Sequence, residues 1–376
     1  MFYVGLDVHR HRTQAAVIDD EGHELLNRNV INDPEQLGSL LCGLEPRSPV
    51  VLEAAYGWSW VVELLEEMDL EAHLAHPAAC KTIAFARLKN DRVDARTLAQ
   101  LLRADLLPEA WIAPRPVREL RLLLRHRAAL VRLRTTLKSR IRAVLADRGI
   151  ATPAALWERP GRAWLSALQL PDTERGVVED LCGLLDAIAE PIARVEGEIR
   201  ARAKPDARVE ALQRLPGVGL LTAMTLVAEI GDISRFSSAR KLCAWAGLTP
   251  RVRNSDTTVH HDHITKAGSA PVRWVLGEAA QIAKRHPPFE ATYESIRKRR
   301  GNAIATVAIV RRLLAQSFHI LKTAVPIGGH LASSLPNLDL ASSLPDQSRS
   351  LTLILQTGAP RRLEELEVAQ NGGIRP

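Results

Sequence analysis

The first hundred residues constrain this chain most, because their apolar pattern changes period in a definite order. Residues 2–8, 14–18 and 24–30 are short apolar and β-branched runs, and Asp19-Asp20-Glu21-Gly22 is a turn sequence between the last two. They read as an antiparallel meander. Residues 34–44 then show helical spacing. An apolar run at 49–54, an amphipathic stretch at 58–68 and a short strand at 71–74 follow, before a helix that starts near Asp91. The predicted order is three strands, helix, strand, helix, strand, helix.

Four carboxylates sit at marked places in that order. Asp7 interrupts an apolar strand, and a carboxylate buried there needs a partner. Glu53 closes the fourth strand. Asp91 and Asp94, three residues apart, share one helix face. Each has an ordinary reading: Asp91 as helix N-cap, Asp94 as a favourable charge at the helix dipole, the other two as strand-end residues. Taken together, on these element types, they match the RNase H-like α/β fold, in which carboxylates from the first strand, the fourth strand and a later helix form a two-metal site. His9 and His11 read as hydrogen-bonding neighbours of Asp7, and Tyr56, Trp58 and Trp60 as helix packing.

The rest of the chain suggests the substrate. Net charge is +7 over 376 residues, enough length for two or three domains, and points to an anionic partner. The positive charge is concentrated. Between residues 114 and 150 stand Arg115, Arg118, Arg121, Arg125, Arg127, Arg132, Arg134, Lys138, Arg140, Arg142 and Arg148, against only Glu119 and Asp147. Leucines at spacings of three and four between them predict a long amphipathic helix with a basic face suited to duplex phosphates. A second helical region, 173–209, broken near Pro191, would fold back on it as an antiparallel arm or dimerising coiled coil. Cys42, Cys80, Cys182 and Cys243 are scattered, which excludes a zinc knuckle or disulfide framework. No apolar run stands out as a membrane span and the N-terminus is not a signal peptide, so a cytoplasmic protein is expected.

Leu215-Pro216-Gly217-Val218-Gly219, between two helical stretches, has the form of a helix-hairpin-helix whose amides could face a phosphate. A helix ending near Gly247 leads into a polar loop with Arg251, Arg253, Ser255, Thr257 and Thr258. Such a loop serine is ordinarily a turn former, and less often a nucleophile on phosphorus. His260-His261-Asp262-His263 reads as a phosphate or DNA contact ahead of a zinc cluster. Helices are expected at 272–284, 293–300 and 303–321. Residues 331–336 repeat as 340–345 within a Ser- and Pro-containing tail.

Gly5-Leu6-Asp7, Leu52-Glu53-Ala54, Lys89-Asn90-Asp91-Arg92-Val93-Asp94-Ala95, Leu215–Gly219, Ala246-Gly247-Leu248-Thr249-Pro250-Arg251 and Lys266-Ala267-Gly268 occur in an order that resembles the Asp-Glu-Asp-Asp insertion-sequence transposases. The resemblance implies a RuvC-like (RNase H-like) catalytic domain at 1–112, a helical arm at 113–205, a mostly α-helical transposase domain with the helix-hairpin-helix and serine at 206–325, and a tail at 326–376. It implies Asp7, Glu53, Asp91 and Asp94 as the binding set for two Mg²⁺ ions, and Ser255 as a nucleophile that links covalently to DNA. The expected nucleic-acid contacts are Arg118, Arg121, Arg125, Arg132, Lys138, Arg142, Gly217, Gly219, Arg251, Arg253 and Lys266. The expected partners are double-stranded DNA at the element ends and target, a structured guide RNA, and further copies of the chain in a homodimer or homotetramer, near the bacterial nucleoid and with no membrane. The alternative is a Holliday-junction-type nuclease with water as nucleophile. The chain departs from the family pattern at Asn90, where threonine is usual, at Asp256 beside the serine, and at 260–263.

Overall fold

A computed structural model describes residues 1–83, 90–255 and 258–324; at 81, 252–255 and 258–262 it describes the backbone alone. The expected tail, 326–376, lies outside these residues. Two compact units divide near Ile112 and Ala113.

The first unit is mixed α/β. Its elements are β1 (Tyr3–Val8), β2 (Arg12–Ile18), β3 (Glu24–Ile31), α1 (Pro34–Leu41), β4 (Pro49–Glu53), α2 (Trp58–Glu67), β5 (Glu71–Ala75), α3 (Pro77–Ile83) and α4 (Asp91–Arg103). The strands form one sheet in the order β3-β2-β1-β4-β5. The first three are antiparallel, whereas β4 runs parallel to β1 and β5 to β4. The meander was expected from the sequence; α3 was not, its seven residues being too few to establish a helical period.

Alternation along the central strands separates core from chemistry. Val4, Leu6, Val8, Val50 and Leu52 join the α1 and α2 side chains Leu37, Leu41, Val61 and Leu65 in one apolar cluster. Val51 belongs to the cluster on the other face, with Leu98 and Leu101 of α4. Each buried leucine there contributes about 1.5–3 kcal/mol toward holding α4 on the sheet. Gly5 sets how close α4 comes: a Cβ on it would lie 2.0 Å from the Ala95 carbonyl oxygen and 2.8 Å from the Ala99 nitrogen. Trp58 and Trp60 pack on the α1–α2 side as expected. Tyr56 instead is 72% exposed, because it precedes the first turn of α2.

The second unit is mostly helical: α5 (Arg115–Asp147), α6 (Arg159–Ala167), α7 (Asp172–Ala187), α8 (Ala189–Ala203), α9 (Ala207–Gln213), α10 (Leu220–Ile230), α11 (Ala239–Trp245), the strands β6 (Pro250–Ser255) and β7 (Thr258–Ile264), then α12 (Ala270–Ala283), α13 (Phe289–Arg300) and α14 (Asn302–Ala324). At 33 residues, α5 is about 50 Å long. Its second half packs Leu137, Ile141 and Leu145 against Leu165, Val178 and Leu181 of α6 and α7. Its first half contributes Leu124 to a larger core that also holds Val195 and Ile199 of α8 and the helices that follow. The long helix α5 thus runs through two separate apolar clusters, one with α6 and α7 and one with α8 and the C-terminal helices.

Three details differ from the sequence reading. The supposed connection between the arm helices contains α6, since Pro160 lies in its first turn, where a missing N–H costs nothing. The second helical region breaks near Pro191 as expected, at Ile188, but stops at Ala203 and resumes as the separate helix α9 instead of running on to 209. The polar stretch expected as a loop is the β6–β7 hairpin, paired from Pro250↔Ile264 to Ser255↔Thr258; its charged and hydroxylated residues give no apolar alternation to read. In addition, α14 is by length and composition apolar enough to cross a membrane, contrary to the expectation of no such run. Its Ile309, Leu313, Leu314 and Phe318 are buried in the core of the second unit, which accounts for the apolarity.

Candidate metal centre

The site is built where β1, β4 and α4 meet. Leu6 of β1 is paired with Leu52 of β4, so the next residues along these parallel strands are Asp7 and Glu53. Asp7 follows Gly5 by two and therefore shares its face of the sheet, toward α4. Ala95 packs on Gly5, and the turn of α4 before it carries Asp91 and Asp94. Asn90, not Asp91, is the N-cap: its side-chain oxygen accepts a hydrogen bond from the Val93 N–H at 2.9 Å. Capping by Asn90 frees the Asp91 carboxylate, and it is the role that a threonine there would also fill.

The four carboxylates act on one another. Burial pushes the Asp7 carboxyl above its ordinary value; the His9 imidazole opposes this, while Asp94, Asp91 and Glu53 push in the same direction as burial. Of the three, Asp91 offers a ligand atom within 4.8 Å of Asp7, while Asp94 and Glu53 act on it through their charge. His9 is the neighbour of Asp7 that the sequence led one to expect, and it meets Asp91 as well. Its Nε2 lies 3.1 Å from Asp7 Oδ2 and 3.3 Å from Asp91 Oδ1.

A group missed from the sequence holds α4 in place. Gln14 stands opposite Asp7 in β2, is 4% exposed, and donates to Asn27 Oδ1 at 2.7 Å. Asn27 in turn donates to the Arg92 carbonyl in the first turn of α4 at 3.1 Å. Neutral amides scattered over two strands carry no sequence signal, and only the pairing of the strands aligns them.

The donor set fits a hard divalent cation such as Mg²⁺, which takes carboxylate oxygens. Asp7, His9 and Asp91 each offer a ligand atom within 4.8 Å of the others'. Such a cluster can hold a cation against a phosphodiester.

Ser255 belongs to the second unit, as the last residue of β6. Arg253 lies on the same strand and Arg251, near its start, is exposed. The base of the hairpin is tightly built. Gly247 has φ +70° and a Cβ there would sit 1.9 Å from the Ala267 carbonyl oxygen; Gly268, at φ +83°, faces the Trp245 carbonyl oxygen in the same way at 1.8 Å. The Lys266 N–H donates to the Gly247 carbonyl at 3.0 Å, leaving the Lys266 side chain exposed. Arg273 of α12, also missed from sequence, donates from Nη1 to the carbonyls of Ala246, Ala267 and Gly268 and so ties both glycine turns together.

The expected nucleic-acid residues fall into two groups. Arg118 donates to the Ala113 carbonyl. Arg121 donates to the carbonyls of Ala228 and Glu229, and Arg125 pairs at 2.8 Å with the buried Glu229 carboxylate, which also accepts from Ser269. These guanidinium groups complement the carbonyl end of α10. Arg132 and Arg142 instead are exposed, and Lys138 and Arg142 lie 4.9 and 5.4 Å from the Trp157 ring. Burial lowers the Lys138 pKa, and Arg134, Arg142 and Arg162 add to this. In the turn between α9 and α10, Gly217 has φ +78° and a Cβ there would lie 2.3 Å from the Ala279 carbonyl oxygen, so it serves packing on α12. Gly219 is the N-cap of α10 with open space around it.

Comparison with known proteins finds transposases of insertion sequences. Residues 4–148 match a family model described as Transposase, of the DEDD type of IS110, and residues 209–294 one described as Transposase IS116/IS110/IS902 family. The chain is 28% identical over 320 residues to the transposase for insertion sequence element IS1111A of Coxiella burnetii, covering 82% of this chain and 86% of that protein. It is 27% identical over 378 residues to an uncharacterized protein of insertion element IS116 from Streptomyces clavuligerus, covering 82% and 92%. With the transposase for insertion sequence element IS1328 of Yersinia enterocolitica it shares 23% over 288 residues, 74% and 83% of the two chains.

Proposed function

Because the chain belongs to the insertion-sequence transposase family of the IS110 and IS116 elements, we propose that it is a site-specific DNA recombinase that cuts and rejoins strands. The observation that carries this reading is the placing of Asp7 and Glu53 at the same level of the adjacent strands β1 and β4, with Asp91 of α4 within ligand distance of Asp7. The first unit acts as the RNase H-like, RuvC-like domain, a reading supported by the strand order and by carboxylates on the adjacent strands β1 and β4.

Asp7, Glu53, Asp91 and Asp94 would hold Mg²⁺, two ions in the full site, which when bound supplies polarisation of a phosphodiester oxygen. The chain's own residues do the rest. The Ser255 Oγ bonds to phosphorus, the bond from phosphorus to the departing strand's oxygen breaks, and that oxygen takes the serine proton. The phosphoserine keeps the bond energy, so a hydroxyl from another strand can reverse the step and free the serine. Arg251 and Arg253 offset charge on the phosphate. Arg132, Lys138, Arg142, Gly219 and Lys266 contact duplex backbone; Arg118, Arg121 and Gly217 act through the fold, since their donors or space are taken up within it, and Arg125, though exposed, is paired with the buried Glu229 carboxylate. A structured RNA from the same element selects the sites, and dimers or tetramers form on DNA in the bacterial cytoplasm.

The test incubates the protein with candidate element RNA, target DNA and Mg²⁺ and then denatures it. A protein–DNA adduct that disappears in Ser255→Ala is the expected result. Cleavage without an adduct assigns the chain to the junction nucleases with water as nucleophile. Cleavage surviving in Asp7→Ala would remove the carboxylate centre from the mechanism.

A further inference from the structure

The imidazole of His9 is placed differently from an ordinary neighbour of a carboxylate. Its Nε2 touches one oxygen of Asp7 and one of Asp91, at 3.1 and 3.3 Å. These acids belong to elements more than eighty residues apart, so a ring held by a single partner has no reason to contact both. A cation with ligands at about 2.1 Å and right angles between them sets neighbouring donor atoms about 3.0 Å apart. The two distances are close to the edges of such a coordination shell, with the nitrogen at the shared corner.

The backbone keeps His9 there. Its N–H donates to the Arg12 carbonyl at 3.0 Å, closing the β1–β2 turn. Its carbonyl accepts from Asn32 Nδ2 at 2.6 Å, and Asn32 Oδ1 accepts from the buried Thr13 hydroxyl. The side chain remains 51% exposed, so the ring is reached from solvent while its Cα is fixed.

We infer that His9 is a direct nitrogen ligand of the metal centre, completing with Asp7 and Asp91 one of its cation positions. This rests on the carboxylate-centre reading above and adds the donor that decides metal preference. Mg²⁺ strongly prefers oxygen, whereas first-row transition cations accept imidazole. The position holding His9 therefore favours a cation such as Mn²⁺ over Mg²⁺.

Pulsed electron paramagnetic resonance on the full-length protein loaded with Mn²⁺ alone reads this directly, with ¹⁴N- and ¹⁵N-histidine samples compared. The expected result is a coupling from a bound imidazole nitrogen that changes with the isotope and vanishes in His9→Ala, with Mn²⁺ affinity weakened about 10- to 100-fold and Mg²⁺ affinity changed less. His9→Asn serves as the second variant where alanine loosens the turn, and wild-type spectra alone already decide whether nitrogen is bound. Mn²⁺ bound at the centre, displaced by Asp7→Ala, but with no nitrogen coupling overturns the His9 assignment and leaves the carboxylate site standing. A folded wild-type protein that binds no Mn²⁺ overturns the metal centre itself.

Discussion

Gly5 and Ala95 meet backbone to backbone: a methyl group on Gly5 would come within 2.0 Å of the Ala95 carbonyl oxygen. That contact brings the first turn of α4 down to the level of Asp7. Gly5→Ala must push the helix away, at a cost of about 1–3 kcal/mol for overpacking. It is expected to lower the urea midpoint and to weaken Mn²⁺ binding by about ten-fold or more, because the α4 ligands move with the helix. Unchanged metal affinity in a destabilised variant would separate α4 from the site.

Asp7 carries a pH signature. Its folded pKa lies above the unfolded value of 3.8, first through burial, with the neighbouring carboxylates adding to it against His9. The folded chain therefore holds a proton that the unfolded chain has released, and stability is lost as pH rises from 3.8 through the raised value. In metal-free buffer, melting temperature should fall across this window, and Asp7→Asn should flatten the fall and raise the neutral-pH melting point by about 1–4 °C. Saturating Mg²⁺ should restore the wild type but not the variant. Parallel pH curves for the two proteins would contradict the shift.

The α5 arginines should separate by experiment into two kinds. Arg125→Ala removes the guanidinium paired at 2.8 Å with the buried Glu229 carboxylate, which keeps Ser269 and the charge of Arg121, and should cost about 1–3 kcal/mol, with the salt dependence of DNA binding unchanged. Arg132→Ala should leave stability within about 0.5 kcal/mol yet reduce the slope of log affinity against log salt by about 1. Denaturant titration and fluorescence anisotropy on duplex DNA measure both.

Arg273→Ala removes a guanidinium that three carbonyls share at the base of the β6–β7 hairpin. Adduct formation through Ser255 should fall about ten-fold or more for a misplaced nucleophile, while Mn²⁺ binding by the first unit stays at the wild-type value. Loss of both together would indicate general unfolding, which circular dichroism would show.

Much of the first unit was legible because strand and helix periods are clean there and each acid interrupts an apolar pattern. Asp7 and Glu53 stand out as charges in Val- and Leu-rich strands. His9 did not, since a histidine beside an acid has many ordinary uses and its second partner, Asp91, is distant in the chain. Among the basic residues, spacing showed a helix with a charged face but not which cations turn inward; that depends on α10 delivering Glu229 and its last carbonyls to Arg121 and Arg125. The β6–β7 strands were unreadable because their sequence, rich in Arg, His, Asn, Ser and Thr, has no apolar alternation.

The N-cap at Asn90 also bears on how the protein is made. β1 to β5 can pair as soon as residue 75 is available, yet two of the four acids arrive only with α4. A ribosome that has not reached Asp91 has made all five strands but only two of the four acids. The expected cation site is thus assembled in two steps, and a chain ending before α4 would lack Asp91 and Asp94 and should bind Mn²⁺ more weakly than the whole protein.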